Sequence, residues 1–225
     1  SGDILLLGPK ERIDNEGIRE SLGIPPDTWA AMVKNLRPGD AGSSTSTYAG
    51  ERKITVAALP AAVSRYNSPS CSWAIPGLVS QIAKSREATV IALVDMDTAE
   101  ATALAVARAF PLYDSKSSKK ARRNCSLVLR TREGSPDIPS IQAAMDAVRF
   151  AAMLTDMPAS ELNVSRFVQE AEEVAARTGA AVTVVRGREL AEQGFGGIWG
   201  VGKAAEDPPA LVSLEWVPDN PEGYV

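Results

Sequence analysis

Residues 88–110 read ATVIALVDMDTAEATALAVARAF, and they decide the fold. The first seven are β-branched or apolar, the character of a strand. From Thr98 to Phe110 the apolar residues fall on most faces of a helix, as they do when a helix is covered on two sides. A second strand follows at 125–130, CSLVLR. Upstream, 53–59 (KITVAAL) repeats the strand character with a helix expected after it. Ile4-Leu5-Leu6-Leu7 before Gly8-Pro9 reads as a short buried strand and a turn. Alternating strands and helices build a mainly parallel sheet through right-handed crossovers, so the predicted class is α/β.

Between these elements, Pro26-Asp27-Thr28 is expected to cap a helix over 29–36, and the Gly-, Ser- and Thr-rich stretch 37–50 to be a mobile loop. Composition breaks at 134–139, GSPDIP, after which Ser140 opens a long helix that Pro158 stops near Met157. This predicts an N-terminal α/β domain over 1–135, a linker helix over 136–158 and a second α/β domain begun over 159–225. In that second part Asn163 or Ser165 can cap a helix over 164–178 closed by Gly179. A strand at 181–185, a short helix at 188–193 and a strand at 210–217 follow. Two strands and two helices cannot close a core of their own.

The 225 residues are long enough for a sizeable core, and 44% hydrophobic content is that of a folded, water-soluble protein. With 24 basic and 28 acidic residues the formal charge is −4, so no overall field draws the chain to nucleic acid or an anionic membrane, and neither is an expected partner. Cys71 and Cys125 have no C-x-x-C spacing, which points to a reducing, cytoplasmic setting. No apolar stretch approaches the roughly 20 residues of a membrane-spanning helix. The sequence contains no histidine, so Ser-His-Asp, Cys-His and His-zinc sites are excluded within it.

Four places carry residue types suited to chemistry. Gly197-Ile198-Trp199-Gly200-Val201-Gly202-Lys203-Ala204 is one residue from a phosphate-binding loop, but Ala204 stands where a Ser or Thr should hold Mg²⁺. Tight turns and close strand approach are the expected use of these glycines. Asp95 and Asp97, at the end of a predicted strand, could bind a hard cation, but a third donor is missing and Asp97 is expected to cap the following helix. Lys116, Lys119, Lys120, Arg122 and Arg123 form a basic cluster without aromatics for base stacking, which reads as a solvated loop. Cys71, beside Trp73, has no histidine to lower its pKa and reads as an inert thiol.

Two longer segments carry more. Residues 149–167, RFAAMLTDMPASELNVSRF, and 194–214, GFGGIWGVGKAAEDPPALVSL, resemble the leucyl aminopeptidase (cytosol aminopeptidase) family. That family has an Arg-led helix, a T-P-x-N-E-like stretch, and a glycine loop followed by P-P-x-L and a strand. Residues 55–70 (TVAALPAAVSRYNSPS) and 107–112 (ARAFPL) resemble its probable aminopeptidase-like branch. Ser160 stands where the family usually has Asn, and Lys203 where Gln is commoner. The resemblance implies a macro-domain-like first domain and the opening of a metallo-aminopeptidase catalytic domain. It also implies a parent enzyme that cleaves peptides at their N-termini with two divalent cations (zinc, manganese or magnesium) and assembles as a homohexamer. The family's Asp, Glu and Lys ligands lie in stretches that no position here matches. No catalytic or metal-binding residue is therefore assigned, no cofactor is expected in this chain, and it is expected to be inactive without a downstream catalytic half. A non-catalytic module whose macro-like fold binds a nucleotide-like ligand, or serves only for oligomerisation, is the alternative reading.

Overall fold

The structure, a computed structural model, describes residues 2–82, 85–113 and 124–217. Two compact units divide it, Ser1–Thr155 and Asp156–Val225.

The first unit is built on strands β1 (Asp3–Gly8), β2 (Ser43–Ala49), β3 (Arg52–Ala58), β4 (Glu87–Leu93) and β5 (Asn124–Arg130), in the spatial order β2-β3-β1-β4-β5. β1 pairs in parallel with both β3 and β4, and β4 with β5, as the alternation of elements predicts. Side chains on a strand point to alternate faces, and here both faces are apolar. Leu5 and Leu7 enter one core with Val90, Ala92 and Val94, under helices α4 (Ile75–Val79) and α5 (Ala99–Ala107). Leu6 enters the other with Ile54, Val56 and Leu93, under α1 (Lys10–Ile13), α2 (Glu16–Leu22) and α3 (Pro26–Asn35). The result is a three-layer α/β/α sandwich. Helix α6 (Ile138–Asp156) follows β5.

The 37–50 stretch is not a loop throughout. Residues 43–49 form β2, antiparallel to β3 from Ser43↔Ala58 to Ala49↔Arg52. Its Ser/Thr-rich composition suits an edge strand with a wet side, and Thr and Tyr favour extended backbone. The strand begins after Gly42, whose φ is 74° and where a Cβ would lie 2.7 Å from the Ala58 carbonyl oxygen. Helix α3 also starts earlier than expected, at Pro26, with no side-chain cap from Asp27 or Thr28. Proline at the first position needs none, since its missing N–H would be unpaired there anyway.

In the second unit α7 (Val164–Thr178) is capped by Asn163, whose side chain accepts from the Arg166 N–H at 2.9 Å, and is closed by Gly179 at φ 72°. Strand β6 (Ala181–Arg186) pairs antiparallel with β7 (Ala210–Glu215), with α8 (Glu189–Glu192) and α9 (Gly196–Gly202) between them.

Leu6 is fully buried at the centre of the sheet. Leu6→Ala is expected to lower unfolding free energy by about 3 kcal/mol, read as a lower urea midpoint at unchanged slope.

Candidate functional site

The glycine-rich stretch is where expectation and structure part most clearly. Residues 196–202 are helix α9 rather than a series of turns. The Trp199 N–H bonds the Phe195 carbonyl at 3.1 Å and the Lys203 N–H bonds that of Trp199 at 2.9 Å. A phosphate loop wraps its glycines around the anion ahead of the helix, whereas here the glycines themselves form the helix, so the near-match does not take that form. Close approach does occur at one position: a Cβ on Gly202 would lie 2.4 Å from Cβ of Pro209, at the entry to β7. Around Gly197 nothing lies within 4 Å.

The segment between α9 and β7 is held by a polar cluster that the sequence did not announce. Asp207 accepts from the Ser165 N–H and from the Ser165 hydroxyl, each at 2.6 Å, and from Arg186 at 2.5 Å. Arg186 also donates to the Ser165 hydroxyl. Ser165 lies in the first turn of α7, so the Asp207 carboxylate stands at the positive end of that helix. The Ser165 hydroxyl and then its amide, together with the Arg186 charge, hold Asp207 below the usual carboxylate range. The Gly187 N–H completes the arrangement by bonding the Pro209 carbonyl at 2.8 Å. Three elements distant in sequence, α7, β6 and the lead into β7, are tied at one carboxylate.

Asp95 and Asp97 do not act together. Asp95, not Asp97, is the cap: it opens a short 3₁₀ helix, Met96–Thr98, in a reciprocal capping box with Thr98. Its carboxylate also accepts from Arg12 at 3.1 Å and faces Arg132 at 3.7 Å. Arg12 donates a second bond to the Arg130 carbonyl at 3.1 Å, and its side chain is only 13% exposed. Asp97 lies exposed in the 3₁₀ turn. The connection leaving β1 runs over the α1–α3 face and that leaving β4 over the other, which makes their carboxyl ends the switch point where open α/β sheets bind ligands. Arg12 spans that position to reach Asp95 and Arg130.

The basic cluster Lys116, Lys119, Lys120, Arg122 and Arg123 lies outside the described residues. Cys71 is buried with a left-handed backbone, φ 51°, and burial pushes its thiol up. Trp73 beside it donates to the Asp40 carbonyl at 2.9 Å. Burial pushes Cys125 up to about 11, against the lowering effects of a hydrogen bond with the Val90 backbone and of the Arg149 charge. Among the described residues no group of three or more Cys, Asp or Glu is placed to hold a metal ion, and no helix is long and apolar enough to cross a membrane.

A three-layer α/β unit followed by a second α/β unit is the architecture of solved leucyl aminopeptidases. The chain superposes on the leucine aminopeptidase of Caenorhabditis elegans with a TM-score of 0.82 at 25% identity, covering 95% of this chain and 45% of that one. On the leucyl aminopeptidase of Leishmania major, solved in complex with actinonin, the TM-score is 0.83 at 27% identity, covering 94% and 44%. The family model for the M17 aminopeptidase N-terminal domain 2 matches residues 3–120, and that for the cytosol aminopeptidase family catalytic domain matches 149–224. The chain belongs to the M17 aminopeptidase family, whose members are metallopeptidases acting on peptides. Its relatives include the human probable aminopeptidase NPEPL1, 35% identical over 97% of this chain, and leucine aminopeptidase 1 of C. elegans, 31% identical over 94%. The chain spans 44% of the length of each.

The polar cluster predicts a pH effect with a definite sign. Because the folded state lowers the Asp207 pKa, its contribution is complete above about pH 4 and is lost as pH falls through the depressed value. The difference in urea midpoint between the wild-type protein and Asp207→Asn should therefore be constant near neutrality and shrink in acid. The glycines of α9 separate in the same assay: Gly197→Ala should raise stability by about 0.5–1 kcal/mol, and Gly202→Ala should lower it by about 1–3 kcal/mol.

Proposed function

We propose that this chain serves a cytoplasmic aminopeptidase that releases N-terminal residues from peptides, with two divalent cations supplied as zinc, manganese or magnesium. The observation that carries this reading is the match of the family's catalytic domain to residues 149–224, the stretch that holds α7, β6, α9 and β7. Among the described residues no three candidate ligands converge. Because the chain spans 44% of the length of its relatives, hydrolysis is assigned to the whole protein, with ligands from a downstream catalytic half and no catalytic role for any residue of this chain. The division into a macro-like domain over 1–135, a linker helix over 136–158 and a catalytic-domain portion over 159–225 belongs to the same proposal, as does assembly into a homohexamer.

What this chain contributes is position. Asp207 holds the segment entering β7 against the first turn of α7, and two apolar strands, β6 and β7, stand ready for a larger sheet. At the macro-like switch point the Arg12 guanidinium is engaged by Asp95 and by the Arg130 carbonyl.

The test is hydrolysis of leucine p-nitroanilide by the whole protein and by these 225 residues, before and after chelation and with each metal restored. Activity confined to the whole protein, lost on chelation and regained with a divalent cation, is expected. A whole protein inactive with every metal, or cleavage by the 225 residues alone, overturns the reading. Sedimentation of the whole protein at the mass of a monomer would remove the hexamer.

A further inference from the structure

The first unit contains a cavity of about 330 Å³ between α5, β5 and α6 that the aminopeptidase reading does not use. Its floor is apolar, with Val106, Phe110, Leu127, Leu129 and Ile141. Its polar lining comprises Asn124, Cys125, Gln142, Asp146 and Arg149. Ile138, also in the wall, is 52% exposed and marks the opening to solvent.

A volume of this size falls at the lower end of ordinary small-molecule pockets, which run roughly 300–1,000 Å³. Filled with water it would hold about ten molecules, since each takes roughly 30 Å³, and those over Val106, Phe110, Leu127, Leu129 and Ile141 would lack partners there. A molecule with an apolar body and a polar end matches this mixed lining.

The polar lining selects the head group. Asp146 already accepts from Gln142 at 3.1 Å, which answers part of its charge. Arg149 donates through Nε to the Phe110 carbonyl at 3.0 Å, a bond that fixes the plane of the guanidinium. Its remaining donors are on the two terminal nitrogens, the fork that matches a carboxylate. Cys125 stays protonated at neutral pH and adds no negative charge. We propose that this cavity binds a small carboxylic acid, with an apolar body on Phe110, Leu127, Leu129 and Ile141 and a carboxylate on Arg149.

The probes are 3-phenylpropionate, 3-phenylpropanol and 3-phenylpropylamine, matched in body and differing in head group. The readout is the rate of iodoacetamide labelling at Cys125, followed by peptide mass spectrometry so that Cys71 is scored separately in the same protein. The acid should slow Cys125 labelling about fivefold when present at about four times its Kd, with the alcohol weaker and the amine weakest. Labelling at Cys71 should not change. Arg149→Gln should remove the preference of acid over alcohol, and Arg149→Lys should keep part of it. Ala107→Leu, which fills the cavity with hydrocarbon, should abolish protection by all three while circular dichroism reports a folded protein. No protection by any probe at millimolar concentration, equal protection by all three, or an acid preference that survives in Arg149→Gln would each overturn the proposal.

Discussion

Everything in the first unit depends on one strand that must be apolar on both sides. β1 lies between β3 and β4, so it has no free edge, and Leu5, Leu6 and Leu7 are each buried to within a per cent. Successive side chains leave a strand on opposite faces, so this tripeptide joins two separate cores through one backbone. Gly8 ends the strand where a Cβ would lie 2.8 Å from that of Leu93, which lets β1 and β4 finish side by side. The parallel pairing on both sides requires crossovers, and those place helices on both faces. A polar side chain at any of these three leucines would be stranded in one of the cores.

That constraint is also why the sheet could be read from the sequence. Strands buried on two faces appear as nearly continuous apolar runs, and 4–7, 54–59 and 88–94 show it, broken only by Thr55 and Thr89. The Asn163 cap and the Gly179 stop were equally legible, because each is a local solution to unpaired backbone groups at a helix end. β2 was not, since an edge strand of Ser and Thr has the composition of a loop and becomes a strand only through pairing with β3. Helix α2 carries the same kind of local signature: Asn15 accepts from the Ile18 N–H at 3.2 Å and Gly23 closes the helix at φ 68°. α9 could not be read, because seven residues of which four are glycine have poor intrinsic helix propensity, and tertiary context supplies what propensity withholds.

The candidate site was less legible than the fold for a related reason. Spacing in sequence reveals partners on one helix or strand, whereas Asp207, Ser165 and Arg186 come from three separate elements and meet only after β6 and β7 have paired. Arg12 and Asp95 are 83 residues apart, and their pairing follows from the parallel registry of β1 and β4. The acidic pair at Asp95 and Asp97 looked like a ligand set because sequence shows proximity along the chain but not the cation that one member already faces. The family resemblance succeeded where these inferences did not, since a long segment records many such distant contacts at once.

The unevenness of the first unit has a physical consequence. Over β1, β3 and β4 both faces are covered and nearly every inward residue is buried, whereas β5 alternates only between exposed and half-buried positions. α6 spans nineteen residues yet buries Ile141 alone, and Arg149 fastens it to the end of α5 by a hydrogen bond to Phe110. Free energies of local opening scale with buried apolar contact, so the β5–α6 side opens at lower cost than the centre of the sheet. A peptidase family that places an α/β unit ahead of its catalytic domain thus retains, in this chain, a rigid centre with one compliant side.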